Sequence, residues 1–441
     1  MHKTHLAAVG AIGLSLAMAL TGCSGNGTPA DAGGGNGVVP TPKASGETLT
    51  VWAMNGDLST ETLDAINAQF TKLTGAKVKV ETQEWDGITT KITTALATST
   101  PPDVMDIGNT QVAGYAANGG LLDLTQFKDD LQQGNTWLGG LEEPATIDGH
   151  LYGAPSFAGD RAVIYNKTMW AAAGVTEAPK TFDELTADLD KVKAANPASD
   201  FAPFYFPGQF WYGAMQWVWD AGGDIATEQD KKWTGGFSSA EAQEGLANFK
   251  EFQNKYSTVA SQTIDTDKPA QEQIFADGKA GAILTNQNAL QLIKKNNPKI
   301  TDADLGTFPF PGKSGHNQPV MLAGSVWGIA TKAQHKDLAL LWVKIALSPT
   351  IQVDNVYGHD HWIPNSTEAI DGAKAKGIDP LAEAYFTAAT TSKATPAAPD
   401  WATIEGERSI HQFFQSIATG GAISDETAKF DSHVDSVLNG K

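Results

Sequence analysis

The chain has 441 residues, 41% of them hydrophobic and 18% charged, with 31 Lys and Arg against 50 Asp and Glu for a formal net charge of −19. The two signs are interspersed rather than blocked into tails, and so acidic a surface excludes nucleic acid as a natural partner. Beyond the first 20 residues no apolar run has spanning length, so the body is expected to be soluble.

The first element is a leader. Lys3 is followed by an uncharged stretch from Leu6 to Leu20 and then by small residues, the layout of a secretory signal, too short for a comfortable membrane span. Cys23, the only cysteine, closes Leu20-Thr21-Gly22-Cys23. That string resembles the lipobox of bacterial lipoproteins, which implies cleavage at residue 22 and acylation of Cys23; the alternative is an ordinary signal with a chance cysteine. Several acyl chains on one residue exceed the two signals that stable anchoring needs. Residues 23–46, rich in Ser, Gly, Asn, Pro and Thr, read as a flexible tether that holds the body off the outer face of the cell membrane.

The ~395 residues that follow exceed the size of one growing core, so two lobes are expected. Leu49 to Met54 reads as a strand, and Asn55-Gly56-Asp57 as the loop after it. Ser59 is a candidate N-cap for a helix carrying Leu63, Ile66, Phe70 and Leu73, which Gly75 ends. Val78 and Val80 mark a second strand, Gly87 to Ser99 a second helix, and Val104 to Ile107 a third strand. This βαβαβ order predicts a parallel, doubly wound sheet. Ligands in such sheets gather outside the carboxyl ends of the strands, here at Asn55–Asp57, Glu84–Asp86 and Gly108–Gln111.

A second unit begins after the short strand Ala162 to Tyr165. Thr181 and Glu184 form a capping box ahead of Leu185, Leu189 and Val192. Further helices are expected over 239–255, 288–296 and 336–346, and short strands near 281–284 and 320–330. Between Phe201 and Trp219 nine of nineteen residues are aromatic. Trp and Tyr offer a flat apolar face with one polar tip, which suits a pyranose ring; an aromatic lobe core is the alternative.

Five stretches carry a resemblance to the sugar-binding extracellular solute-binding proteins of ABC importers, the family that includes the maltose-binding protein. They are Val51 to Asp57; Pro102 to Thr110 with Gly114-Tyr115-Ala116 and Gly120-Leu121-Leu122; Ala162 to Lys167 with Pro179 to Leu185; Gly324 to Ile329; and Trp362 to Asn365. The resemblance implies an α/β fold of periplasmic-binding-protein type II, two doubly wound lobes joined by a multi-strand hinge. Lobe one would comprise 47–160 with 329–364, and lobe two 163–323 with 367–441. An oligosaccharide, a di- or trisaccharide, would lie in the interlobe cleft and pass unchanged to permease subunits. It further implies a monomer and no cofactor or metal.

Carried over by position, the resemblance puts Asn55 and Asp57 on sugar hydroxyls and Asn109 and Thr110 in the third-strand loop, although the family often has a charged residue where Thr110 stands. Trp85 would stack or pack between loop and helix. Asp160 and Arg161, before the first crossing, would pair across the hinge or bind ligand. Phe210, Trp211 and Tyr212 match the region of a stacking aromatic, with Trp211 foremost. Asn286 and Asn288 would hydrogen-bond where the family commonly offers tryptophan, and Ser325, Trp362 and Trp401 are second-rank candidates.

The main rival is a secreted glycoside hydrolase using Asp57 and Asp160 as its carboxylate pair. Gly312-Lys313-Ser314 lacks the spacing of a phosphate loop, and His359 with His361 lacks a third metal ligand. An adhesin or structural role would require repeats, and none occurs.

Overall fold

Strand Thr48–Met54 (β1) alternates inward residues, with Leu49, Val51 and Ala53 all buried. The computed structural model of the chain describes residues 37–85 and 87–440; the leader, Cys23, most of the tether and Asp86 lie outside the described residues. Ser59 caps helix Thr60–Thr74 (α1) by accepting from the Thr62 amide at 3.2 Å, and Gly75 ends it at a φ of 81°, a left-handed turn that glycine adopts without a Cβ penalty. Strand Lys77–Gln83 (β2), helix Ile88–Ala97 (α2) and strand Val104–Gly108 (β3) follow. Both β2 and β3 pair in parallel with β1, Val51 facing Val80 on one side and Val104 on the other. The expected βαβαβ unit is therefore present.

Strand Ala154–Gly159 (β4) lies in the same sheet, and the chain leaves it through Asp160 and Arg161 to enter strand Ala162–Asn166 (β5) of a second sheet. Helix Phe182–Ala195 (α3) begins with the predicted capping box, Thr181 Oγ1 accepting from the Glu184 amide and the Glu184 carboxylate accepting from the Thr181 amide. Helices Trp211–Asp220 (α4) and Ala240–Tyr256 (α5) come next, then strands Ala282–Thr285 (β6) and Leu305–Phe308 (β7), which flank β5 antiparallel on either side. Strand Ala323–Ile329 (β8) returns to the first sheet between β3 and β4, antiparallel to both, with helix Lys336–Ala346 (α6) after it and Ile363–Pro364 (β9) at the edge. The first sheet thus runs β9-β4-β8-β3-β1-β2.

One core gathers on the first sheet around Val51, Ile66, Phe70, Ile107, Trp327 and Trp342. Another gathers around α4 and α5 with helices Trp401–Gly406 (α7), Ser409–Ala418 (α8) and Ile423–Leu438 (α9), and it is built of rings. Phe252 meets Phe204 edge-on at 5.2 Å, and Trp217 meets Phe310 at 5.3 Å. Phe204, Phe206, Trp211, Trp217 and Trp219 are all buried here, so the run from Phe201 to Trp219 is mainly a core and not a row of sugar platforms.

One further expectation changes. The tether stops short of residue 46: the Gly37 amide donates to Gln126 O, the Val39 amide to Asp130 Oδ2, and Val39 is 3% exposed within the first core. Val39 is the side chain that docks, while Val38 beside it stays exposed. Gly312-Lys313-Ser314 does wrap an anion, but one of its own chain: the Lys313 amide and the Ser314 hydroxyl donate to Asp220 at 2.8 and 2.6 Å.

Helix α5 crosses α4 at Gly245, where an added Cβ would stand 2.5 Å from Trp217 O and 2.6 Å from Val218 Cα. Alanine in an ordinary helix interior gains about 1 kcal/mol over glycine. At this crossing the clash with fixed backbone outweighs the propensity, and Gly245→Ala is expected to destabilise by roughly 1–3 kcal/mol, read as a lower urea midpoint.

Candidate functional site

The carboxyl ends of β1 and β3 open toward the second core, and β8 delivers Ser325 beside them. Ser325 is paired in register with Gly108 of β3 and with Phe157 of β4, and the ladder with β4 slips between Ser325 and Val326. A bulge of this kind re-aims a side chain at the edge of a site. Gly324 is required here: a Cβ would lie 2.2 Å from Phe157 O. The Ser325 hydroxyl donates to Asp57 Oδ2 at 2.7 Å, and the Trp362 indole N–H donates to Asp57 O at 2.8 Å. Two hydrogen bonds therefore hold the first loop in place.

These residues wall a chamber of about 340 Å³. Asp57, Trp85, Asn109, Thr110, Ser325 and Trp362 line it from the first sheet, and Arg161, Tyr212 and Glu405 from the opposite side. Trp362 packs on Phe157 with ring centroids 4.8 Å apart, and Trp85, 40% exposed, covers the bare Gly108. Asn109 is turned into structure, its amide donating to Leu322 O at 3.0 Å and Gly140 O at 3.3 Å. A second chamber of about 580 Å³ shares Arg161, Tyr212 and Glu405 with the first and adds Phe210 and Asn286. The Arg161 guanidinium lies 4.6 Å above the Tyr212 ring and 5.5 Å from that of Phe210, a cation–π pairing that orients both.

The acids of this cleft are held toward their neutral forms. Burial lifts Asp57 to about 6 against the pull of the Ser325 hydrogen bond. Behind it Asp106, fully buried, is pushed well above the carboxylate range by burial and then by the charge of Asp57; its Oδ2 accepts from the Met54 amide while Oδ1 has no partner. Glu405 is pushed up to about 7 by burial, although Trp401 Nε1 donates to one of its oxygens at 3.0 Å and Thr110 Oγ1 to the other at 3.4 Å. Tyr212, pushed up to about 12 by burial, keeps its proton. In mildly acidic solution, where Asp57 and Glu405 keep their protons, a wall of carboxyl, hydroxyl and amide groups between flat rings can both donate to and accept from an uncharged, hydroxyl-rich ligand.

Several expected residues stand elsewhere. Asn55 is exposed, donates to the Glu84 carboxylate at 3.1 Å and lines neither chamber, because the chain turns outward before Asp57. Trp211, expected as the stacking ring, is 0% exposed: the first turn of α4 points it into the core against Trp401, and the next residue, Tyr212, takes the cleft. Trp401 is likewise core and reaches the cleft only through Glu405. Asp160 faces a separate cavity of about 20 Å³ with Tyr385, and Asn288 lines that cavity and one on the far side, not either chamber. Glu405 and Phe157 were missing from the expectation; Glu405 sits one helical turn after Trp401, and that spacing was the available signal.

His359 Nδ1 lies 3.0 Å from Asp360 and 3.2 Å from Ser59, a surface contact. Among the described residues no group of three or more His, Cys, Asp or Glu is placed for a metal ion, and no helix is long and apolar enough to cross a membrane.

Residues 56–353 match the family described as bacterial extracellular solute-binding protein. The diacetylchitobiose binding protein DasA of Streptomyces coelicolor is 34% identical over 427 residues, 96% of this chain and 96% of its own length. The maltodextrin-binding protein MdxE of Bacillus subtilis is 24% identical over 405 residues, 88% of this chain and 87% of its own. Among solved structures, the sugar-binding protein MalE from Xanthomonas citri matches with a TM-score of 0.78 at 21% identity, covering 89% of this chain and 98% of that one. The fold is thus the mixed α/β, type II architecture of the maltose-binding proteins, and the chain belongs to the family of bacterial extracellular solute-binding proteins.

Proposed function

We propose that this protein captures a short oligosaccharide, a di- or trisaccharide, in the cleft between its two cores and hands it unchanged to the permease subunits of an ABC transporter. The observation that carries the reading is the pair of chambers joined at Arg161, Tyr212 and Glu405, together large enough for two or three sugar rings and lined by both aromatic faces and hydrogen-bonding groups. Asp57, Trp85, Thr110, Tyr212, Ser325, Trp362 and Glu405 are the residues proposed to meet the ligand. The relatives DasA and MdxE, named for binding diacetylchitobiose and maltodextrin, support this ligand class.

The two cores would be the two lobes, divided near 160–163, 323–329 and 364–367, with closure by a hinge across the strands that link them. Cys23 would carry the lipid anchor of a monomeric receptor. An enzymatic role is disfavoured by geometry: Asp57 and Asp160 face different cavities, so they cannot flank one glycosidic bond.

Titrating the purified chain with di- and trisaccharides, including diacetylchitobiose and maltose, is expected to quench or shift tryptophan fluorescence with micromolar affinity for at least one, or about 8 kcal/mol. Hydrolysis of any of them would sink the receptor reading, and so would silence across the whole panel.

A further inference from the structure

The second chamber is charged in a way the first is not. Asp265, Asp267 and Glu272 line it beside Glu405, which burial holds toward its neutral form, against Arg161, Arg408 and His411, the last 3.6 Å from Asp265. Arg408 is committed to Asp265, its Nη2 lying 2.6 Å from the carboxylate, and Arg161 is spread over the rings of Tyr212 and Phe210. Among the described residues Glu272 accepts only from Thr285 Oγ1, at 3.0 Å. Among the described residues Asp267, Glu272 and Glu405 have no cation within ion-pair distance.

An independent observation points the same way. Gln271, 3% exposed, lines this chamber with its amide nitrogen fixed on Leu284 O at 3.1 Å, and its Oε1 is buried without a partner. A buried acceptor left open calls for a donor, and the described residues supply none. Net negative charge and an orphaned carbonyl oxygen together describe a receptor for a group that is cationic and rich in N–H.

Resting on the sugar-binding reading above, we propose that the second chamber binds a protonated primary amine on the sugar, so that the cleft selects an amino sugar whose nitrogen is free over one whose nitrogen is acylated. An ammonium carries three donors and no acceptor, enough to meet Gln271 Oε1 and two of the carboxyl groups at once. Charge-assisted bonds of this kind are about twice as strong as neutral ones. An acetamide at the same place offers one donor and no charge.

The test is calorimetric titration of the purified full chain with diacetylchitobiose and with the same disaccharide after removal of both acetyl groups, at mildly acidic pH where the amines are protonated. The free-amine sugar is expected to bind about tenfold tighter or more. That ratio should shrink as salt is raised. In the double variant Asp267→Asn with Glu272→Gln it should fall to near one. Equal or tighter binding of the acetylated sugar overturns the amine proposal and leaves the sugar-binding reading standing, as does an unchanged ratio in the double variant. A protein that binds some neutral disaccharide but not the free amine has the same consequence. If no saccharide binds at all, both readings fall together.

Discussion

Tyr212→Ala is expected to weaken saccharide binding by about 2 kcal/mol, roughly thirtyfold, while leaving the urea midpoint nearly unchanged. Trp211→Ala is expected to do the reverse, destabilising the fold by about 3–5 kcal/mol because it empties a fully buried site. The two residues are neighbours on the first turn of α4, and a helix turns about 100° per residue, so adjacent side chains serve different surroundings. Trp211 lies against Trp401 at 6.0 Å and against His411 at 6.3 Å, inside the ring-built core. Tyr212 lies under Arg161 and opens on both chambers. Its ring centroid is only 4.1 Å from that of Trp211, so the buried indole serves as the backing on which the cleft ring rests. Some affinity will therefore also be lost in Trp211→Ala, but only together with stability. Calorimetry and urea unfolding on the same two preparations separate the effects; a Trp211→Ala protein that keeps its midpoint and loses its ligand would show that the ring faces the cleft after all.

The same pair of residues marks how far the sequence could be read. Periodicity and capping chemistry are local, so Ser59, Gly75, the Thr181–Glu184 box and the parallel order of β1, β2 and β3 were legible, because each is decided by residues within one or two turns. The loop at Asp57 and the segment Asn109–Thr110 were expected at the cleft because strand ends in such sheets converge, whereas Ser325 was named only through the family resemblance. What failed was the facing of side chains in an aromatic-rich segment, where hydrophobicity is nearly uniform and gives no direction: the run from Phe201 to Trp219 has no polar face to tell core from cleft. Glu405 was missed for a different reason. The spacing of one helical turn from Trp401 hinted at it, but its place in the cleft comes from Thr110, 295 positions away in the chain, and that contact no local pattern announces. Asn55 was over-read, since a polar loop residue beside a strand end can equally turn to solvent and take Glu84 as its partner.

The ligand-free protein is expected to be most stable in mildly acidic solution and to lose several kcal/mol between about pH 5 and pH 8. Asp57 rises from 3.8 to about 6 and Glu405 from 4.5 to about 7, in both cases chiefly through burial. At intermediate pH the folded chain therefore holds protons that the unfolded chain has released, and stability must fall as pH rises. Each contribution is complete below the unfolded value and is lost as pH climbs through the folded one. Each is on the order of 3 kcal/mol if the groups titrate alone. Asp106 and Asp160, both raised by burial, extend the loss to higher pH. The opposite slope belongs to stronger acid: Asp123, Asp130 and Glu368 are lowered by their hydrogen bonds, to Thr125 and His150, to Lys344 and Val39, and to Thr136, and stabilise the fold only once ionised. Melting temperature against pH should therefore pass through a maximum near pH 5. Glu405→Gln should flatten the fall up to about pH 7, and Asp57→Asn the part up to about pH 6. A melting temperature that climbs steadily from pH 5 to pH 8 would mean that the cleft carboxyls are ionised, and then hydroxyl-rich ligands would meet a wall that only accepts hydrogen bonds. Below about pH 6 the protonated carboxyls instead give the cleft donors as well, and a ligand that closes over them should move the maximum with the charge it brings: little for a neutral sugar, toward higher pH for a cationic one that stabilises the ionised form of Glu405.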